Sequence, residues 1–329
     1  MRIFVLGSIN IDRVYKLDHI VVPGETETAS SFDLYPGGKG FNQTTALAKA
    51  GALVALVGAV GADGSWLLVP LREAGADTAR VSTIGSTTGH AVIQVDKNGS
   101  NCIFIYPGAN GRITNAQLVA GLSYAHPGDV FLVQNETSCV EEGIRLAKEK
   151  KMTVALNPSP FDERIAKLPL DLVDLFLVNE IEAAGLAGLP AGSDPGAALV
   201  ALRIKYRDAR FVVTMGDKGA ISSGPGGAAP VTVPAFRVDA VDTTAAGDTF
   251  TGYYLAAISR GASEEEALRR ASAAAAIAVT RPGAAPSVPE KKEVDSFLAT
   301  GELPKTKSPR LGARGGVVRA ARHSRSPPP

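Results

Sequence analysis

From residue 130 to residue 216 the sequence alternates short apolar runs with segments of helical periodicity. The apolar runs are VFLVQ (130–134), TVALN (153–157), DLFLVN (174–179) and FVVTMG (211–216). The intervening segments predict helices near 139–150, from about 180, and near 194–207. Strand and helix in turn are typical of a mainly parallel sheet covered by helices on both faces. The chain is therefore predicted to have an α/β fold.

Polar side chains end or follow these apolar runs. In a parallel sheet, ligands bind beyond the carboxyl ends of the strands. Any one of these residues could simply end its strand in a turn, but together they predict a single polar rim, made of Asn10, Glu136, Asn157, Asn179 and Thr214.

The amino-terminal third extends the sheet and interrupts it. RIFVLG (2–7) and LVALVGAV (53–60) read as further buried strands. AVIQVD and NCIFIY flank Asn98-Gly99, a dipeptide that favours a tight hairpin turn. Such a hairpin predicts an excursion from the main sheet.

Composition excludes several classes of protein. The 329 residues are 45% hydrophobic and 20% charged, with two cysteines, which excludes a disulfide scaffold. Cys102 and Cys139 adjoin aliphatic residues and are predicted to be buried and reduced. No run reaches the roughly 18 apolar residues of a membrane span, and the apolar start is too short for a signal peptide. We expect a cytoplasmic protein without membrane contact.

Charge is distributed unevenly between the body and the carboxyl-terminal tail. Residues 301–329 hold seven of the 34 Lys and Arg and one of the 33 acids, so the remainder has 27 basic and 32 acidic residues, a balance of −5. An acidic body argues against specific nucleic-acid binding, which needs a basic face. The tail is rich in Pro, Gly, Ser and Arg, and is predicted to be disordered.

The segment DTTAAGDTFTG (242–252) precedes a helix predicted to end near Gly261. The small residues Ala245, Ala246 and Gly247 let backbone amides converge at the positive end of the helix dipole, an arrangement suited to a phosphoryl group. Asp248, beside them, is placed to act as a general base. The alternative is that Asp248 only caps the helix.

A second Gly-rich helix start, GGKGFNQ (37–43), carries Lys39 and Asn42, both suitable donors for sugar hydroxyls. It is not a nucleotide P-loop, because no Ser or Thr follows the lysine. The near match to a dinucleotide fingerprint at 224–229 is followed by Pro230 rather than by a helix, which argues against a hydride-transfer enzyme.

Seven motifs in order, over residues 2 to about 298, resemble the ribokinase and fructokinase family of sugar kinases. They are GSINID (7–12), PGGKGFNQ (36–43), NPSP (157–160), NEIE (179–182), TMGDKG (214–219), DTTAAGDTFTG (242–252) and AAAAIAVTRPGAAPSVP (273–289). The resemblance implies a three-layer αβα kinase domain over 1–300. It also implies a small β-sheet lid, of four or five strands, from segments at about 13–36 and 87–106.

The resemblance implies ATP-dependent phosphorylation of D-ribose at its 5-hydroxyl. Asp248 would be the base, and the amides of Ala245, Ala246 and Gly247 would stabilise the transferred group. The implied sugar contacts are Asn10, Ile11, Asp12, Gly38, Lys39, Gly40, Phe41, Asn42, Glu136 and Asp248. The implied ATP contacts are Asn179, Thr214, Met215, Gly216, Asp217, Lys218, Gly219, Gly247, Asp248 and Ser272.

Two cations and a partner are also implied by the resemblance. Glu182 would bind Mg²⁺ through water, although from spacing alone it reads as an exposed helix acid. An activating K⁺ would be bound by Asp242, Thr244, Ala278, Arg281, Gly283 and Ser287. The lid would pair with a second copy in a homodimer, although such a lid can also remain monomeric.

Two rival functions stay open at this point. The first is a kinase of the same family acting on deoxyribose, fructose or a nucleoside; the second is a non-catalytic sugar-binding relative. The second should have lost Asp248 or the small residues before it, and this sequence retains them.

Overall fold

The computed structural model describes residues 1–304, and most of the predicted tail 301–329 lies outside them. The main sheet has nine strands, which are β1 (Ile3–Leu6), β4 (Val54–Val60), β5 (Asp77–Thr83), β8 (Val130–Val133), β9 (Thr153–Leu156), β10 (Leu175–Asn179), β11 (Arg210–Thr214), β12 (Ala220–Ser223) and β13 (Val231–Val233). They lie in the order β13-β12-β11-β10-β9-β8-β1-β4-β5, and β12 alone runs antiparallel to both of its neighbours, β11 and β13.

Helices cover both faces of this sheet. They are α1 (Lys39–Lys49), α2 (Leu68–Glu73), α3 (Asn115–Gly121), α4 (Val140–Glu149), α5 (Glu180–Ala187), α6 (Pro195–Lys205), α7 (Ala246–Ser259), α8 (Glu264–Val279) and α9 (Lys291–Thr300). None of those within residues 1–304 has the length and apolar character needed to cross a bilayer.

The alternation of side chains along the strands divides the core in two. Ile3 and Val5 of β1 pack in a cluster with α1, α7, α8 and α9, whereas Phe4 and Leu6 pack in a second cluster with α3, α4, α5 and α6. Because successive strand residues point to opposite faces, one buried strand supports both helical layers. The predicted three-layer α/β fold is confirmed.

A second, four-stranded sheet has the order β3-β2-β6-β7. Its strands are β2 (Asn10–Lys16), β3 (Ser31–Gly37), β6 (Gly89–Val95) and β7 (Asn101–Tyr106). The hairpin predicted at Asn98-Gly99 joins β6 and β7, and Gly99 has a φ of 84°. Every residue of β7 is exposed, so the prediction that Cys102 is buried is wrong; Cys139 is half-buried, and both thiols are free. The local apolar pattern could not reveal that β7 has an uncovered face.

Two close helix contacts position the site described next. A Cβ at Gly252 of α7 would lie 2.4 Å from the Cβ of Ala46 in α1, so the two helices can approach this closely only with glycine there. A Cβ at Gly40 would likewise overlap the backbone of Gly7 after β1. The amino ends of α1 and α7 are thereby held beside the carboxyl end of β1.

Candidate active site

Three of the five residues of the predicted polar rim, Asn157, Asn179 and Thr214, line one cavity at the carboxyl ends of the strands. β1 lies between β8 and β4, so the strand order reverses at β1, and the crevice at such a point is where open α/β sheets bind ligands. Gln43 Nε2 donates to Asn157 Oδ1 at 2.9 Å, and Asn179 is the register partner of Thr214. One cavity is lined by Lys39, Asn157, Asn179, Glu182, Thr214 and Ala245–Asp248.

A carboxylate from a distant segment caps the start of α1. The N-cap residue, Gly38, has a φ of 91° and offers no side chain. Glu136 instead accepts the Lys39 N–H at 3.0 Å and the Ser8 hydroxyl, and Ser8 Oγ accepts the Gly40 N–H at 3.2 Å. The negative charge at the positive end of the helix dipole stabilises this arrangement.

The start of α7 has no side-chain cap. Ala245, at the N-cap, adopts a left-handed φ of 60°, which costs a non-glycine residue about 1–3 kcal/mol. The Ala246 N–H donates to Thr243 O at 3.2 Å, whereas those of Gly247 and Asp248 have no acceptor within residues 1–304. Unfilled amides at a helix start form an anion site.

Asp248 is the third residue of α7 and turns toward α1. Its Oδ2 accepts from Asn42 Nδ2 at 3.1 Å, its Oδ1 accepts from Gln43 Nε2 at 2.8 Å, and Lys39 Nζ lies 3.8 Å from Oδ1. Since Ala245 occupies the N-cap, the alternative reading of Asp248 as a helix cap is wrong.

Lys39 supplies positive charge at the centre of the site. Burial disfavours its charged form, but the carboxylates of Asp248, Glu136 and Glu182 outweigh burial and raise the pKa of Lys39. The ammonium therefore stays charged at neutral pH and offsets the charge of three acids.

The opposite end of the site is built by the start of the small sheet. Asn10 is buried, and its Oδ1 accepts from Asn110 Nδ2 at 2.7 Å. Asp12 lies directly over Gly37, where any Cβ would overlap its carboxylate. Burial, and then repulsion from Glu136, raise the pKa of Asp12 to about 7.

Three of the other predicted sugar contacts lie in the packed interior. The side chains of Ile11 and Phe41 belong to the hydrophobic core, and Gly40 abuts Gly7. None of the three therefore has a side chain that is placed to bind a ligand.

The NEIE motif forms a capping box at the start of α5. The Asn179 N–H donates to Glu182 Oε2 at 2.9 Å, and the Glu182 N–H donates to Asn179 Oδ1 at 2.8 Å. Glu182 is 5% exposed, so its reading as an exposed helix acid is wrong. Burial is the main cause that raises its pKa. Carboxylate and amide oxygens at one cavity suit a hydrated Mg²⁺.

Asp242 joins two loops beside the start of α7. Its Oδ1 accepts from the Thr244 N–H at 2.9 Å and its Oδ2 from the Gly283 N–H at 2.8 Å, and these bonds outweigh partial burial and lower its pKa. The Arg281 side chain pairs with Glu293 at 2.8 Å, so only the backbone oxygen of Arg281 could serve as a ligand for a cation. A carboxylate among carbonyls is the donor set that a hard monovalent cation requires.

Some predicted nucleotide contacts lie away from the cavity. Met215–Gly219 form a short turn after β11 and do not line it, and neither does Ser272 of α8. The turn is closed by the Met215 N–H, which donates to Gly219 O at 2.8 Å. The predicted K⁺ ligands Ala278 and Ser287 do not line the cavity either.

Sequence reasoning missed several polar residues of the site. Gln43, Gln134 and Asn110 are almost completely buried, and Ser8 links Glu136 to Gly40. Ser8 and Gln43 lie within the motifs GSINID and GGKGFNQ, so their position in the sequence already indicates that they belong to the site. Gln134 and Asn110 have no such pattern, because their partners are 91 and 100 residues away.

Comparison with known proteins assigns a family to this arrangement. The sequence model of pfkB family carbohydrate kinases matches residues 1–291. The ribokinase of Haemophilus influenzae is 37% identical over 300 residues, which cover 89% of this chain and 97% of that protein.

Two solved structures share the fold over nearly their full length. The ribokinase of Cryptococcus neoformans var. grubii in complex with ADP has a TM-score of 0.79 at 32% identity, covering 90% of this chain and 99% of that one. The ribokinase of Arabidopsis thaliana complexed with ribose and ATP has a TM-score of 0.77 at 29% identity, covering 90% and 98%.

Proposed function

Because this chain belongs to the pfkB family of carbohydrate kinases, we propose that it transfers the terminal phosphoryl group of ATP to the 5-hydroxyl of D-ribose. The products would be D-ribose 5-phosphate and ADP. The observation that carries this proposal is the position of Asp248, whose carboxylate lies between the amide and ammonium donors of α1 and the unfilled amides that begin α7. The ribokinase relatives support ribose as the acceptor.

Asp248 would act as the general base. Its carboxylate would accept the proton of the 5-hydroxyl as that oxygen attacks the terminal phosphorus, while ADP leaves on the opposite side. Asn42 Nδ2, at 3.1 Å from Oδ2, and Gln43 Nε2, at 2.8 Å from Oδ1, would hold this carboxylate in position for the transfer.

Two positive features would stabilise the phosphoryl group during transfer. The predicted amides are those of Ala245, Ala246 and Gly247, but the Ala246 N–H already donates to Thr243 O. We therefore assign this role to the N–H groups of Gly247 and Asp248, in the first turn of α7, where the helix dipole adds to their charge. Lys39, held beside Asp248, would neutralise charge on the oxygens of the phosphoryl group. Little else is required of the protein, because positioning and charge neutralisation dominate phosphoryl transfer.

Sugar recognition would come from the small-sheet end of the site. Asn10, Asp12, Asn42 and Glu136 present amide and carboxylate oxygens, which are acceptors for several hydroxyls. A site that bonds each hydroxyl discriminates against an analogue lacking one, because a buried polar group is then left unpaired. Ribose should therefore be preferred over deoxyribose.

Mg²⁺ would accompany ATP and neutralise phosphate charge. Asn179 and Glu182 would hold its water shell at the cavity. K⁺ would bind at the loops joined by Asp242 and would act by ordering the segment that leads to Ala245. Na⁺ should substitute poorly for K⁺.

A homodimer through the small sheet completes the proposal. The small sheet leaves large apolar side chains exposed on both of its faces, and an exposed apolar patch marks an interaction surface. Phe32, Leu34, Phe104 and Tyr106 are exposed on one face, and Tyr35, Ile103 and Ile105 on the other.

A coupled ADP-release assay tests the function. Ribose, deoxyribose, fructose and adenosine would be compared as acceptors, each in K⁺ and in Na⁺. We expect the largest kcat/KM with ribose in K⁺. If ribose ranks among the poorest acceptors, the substrate assignment is wrong, and if no acceptor releases ADP, the rival non-catalytic sugar-binding protein is favoured.

A further inference from the structure

Gln43 is the most completely enclosed polar side chain in contact with Asp248. It is 0% exposed, so it cannot touch a substrate. Its Nε2 uses both protons, donating to Asp248 Oδ1 at 2.8 Å and to Asn157 Oδ1 at 2.9 Å. Its Oε1 accepts from Gln134 Nε2 at 2.7 Å. The orientation of this amide is therefore fixed from three sides.

Gln134 lies beyond Gln43, directly after β8, and is 1% exposed. Its Nε2 faces Gln43, while its own Oε1 is buried and has no hydrogen-bond partner within residues 1–304. A buried acceptor left unpaired is unfavourable, and such groups in folded proteins call for an explanation. Turning the amide over would place two carbonyl oxygens against each other, so Gln134 keeps its N–H toward Gln43 and leaves its oxygen unpaired.

Asp248 sets the direction of the hydrogen bonds that link it to Gln43 and Gln134. An ionised carboxylate accepts hydrogen bonds but does not donate them, so Asp248 must face the Nε2 of Gln43. The Oε1 of Gln43 then points away from Asp248, and it can be paired only if Gln134 presents its Nε2. Asn157 closes the arrangement, because its Nδ2 donates to Leu177 O of β10 at 2.8 Å. The catalytic carboxylate is thus anchored to β8 and β10 of the main sheet.

We propose that Gln43 and Gln134 form a two-amide relay that positions Asp248 for proton transfer. This proposal rests on the proposed function, in which Asp248 is the base. Asn42 holds Oδ2 from the same helix, so loss of the Gln43 bond would leave Asp248 in place but free to rotate about its terminal bond. Gln43 and Gln134 are positioning residues, and their loss should affect turnover rather than binding.

The test compares Gln43→Met, Gln134→Met and the double variant, using whichever sugar the substrate assay identifies as best. Methionine keeps the length of the side chain and removes the amide. We expect Gln43→Met to lower kcat at least tenfold while KM for sugar and for ATP stays within twofold, and Gln134→Met to lower kcat about threefold. In the double variant, loss of Gln134 should add nothing to loss of Gln43, because the second amide acts only through the first.

Thr44→Val is the matched control. Thr44 follows Gln43 in α1 and is equally buried, and its hydroxyl has no hydrogen-bond partner in the described part of the chain. Its replacement should leave kcat unchanged, and thermal melts of all variants establish that they fold. Should Gln43→Met not fold, Gln134→Met alone decides between a threefold loss and none.

Three results would overturn the relay: an unchanged kcat in Gln43→Met, a raised sugar KM with normal kcat, or additive losses in the double variant. An unmodified protein that phosphorylates none of the sugars would instead refute the proposed function.

Discussion

Replacing Asp248 with asparagine removes the proposed base while preserving the shape of the site. The new Oδ1 can keep the bond from Gln43, whose orientation is fixed by Asn157 and Gln134. The new Nδ2 faces Asn42, whose Oδ1 accepts no hydrogen bond from the described residues and can turn to accept this one. Exchanging a charged acceptor for a neutral one weakens such bonds by about 1 kcal/mol each, so the variant should still fold.

The expected loss in kcat is 10²- to 10⁴-fold, the usual contribution of a general base. At about 1.4 kcal/mol for each factor of ten, this is about 3–5 kcal/mol of transition-state stabilisation, larger than the expected change in folding stability. The ribose KM should change by less than about threefold, because the hydrogen-bonding groups of Asn10, Asp12 and Glu136 are untouched.

Turnover is measured by coupled ADP release, sugar affinity by calorimetry, and folding by thermal melting. The surface variant Asp171→Asn serves as the control for loss of one negative charge. An Asp248→Asn enzyme whose kcat stays within threefold of the unaltered protein would refute a catalytic role for this carboxylate.

Three further predictions concern packing, pH and association. Gly40→Ala should lower the free energy of unfolding by about 1–3 kcal/mol in denaturant titrations, because its Cβ would overlap the backbone of Gly7. Gly247→Ala, where no described atom lies within 4 Å of the added Cβ, should leave the free energy of unfolding unchanged. Equal stabilities of the two variants would contradict the packing argument. The ribose KM should fall as pH rises from 6 to 8, because burial raises the pKa of Asp12 to about 7. Asp12→Asn should remove that dependence. If the unaltered protein and Asp12→Asn show parallel profiles of KM against pH, Asp12 is not the source. The folded-state pKa of Asp12 is raised from 3.8 to about 7, so its contribution to stability is full below pH 3.8 and is lost as pH rises to about 7. Phe104→Glu, at a side chain 57% exposed, should halve the mass found by sedimentation, and an unchanged dimer would place the interface elsewhere.

Local patterns were enough to predict the fold class and the two helix starts. The alternation of strand and helix patterns from residue 130 onward predicts the parallel sheet, and the small residues before Asp248 predict the start of α7. Both features depend on neighbours in the chain, which a single sequence displays directly.

The contacts that orient the site could not be predicted in this way. Gln43 reads only as the polar neighbour of Asn42, and its environment depends on residues 114 and 205 positions later in the chain. Glu182 could be read as an exposed acid because periodicity does not show that its carboxylate folds back onto Asn179. The wrong prediction for Cys102 has the same origin, since an apolar neighbourhood in sequence does not require a covered face in space.

The small sheet enters and leaves the main domain through very short connections. Three residues separate β1 from β2, and Gly38 alone separates β3 from α1. Asn10 directly follows the first connection and Lys39 directly follows the second, so a tilt of the small sheet would displace both residues. With connections this short, a movement of the small sheet relative to the main sheet would be transmitted directly to residues proposed to bind the sugar.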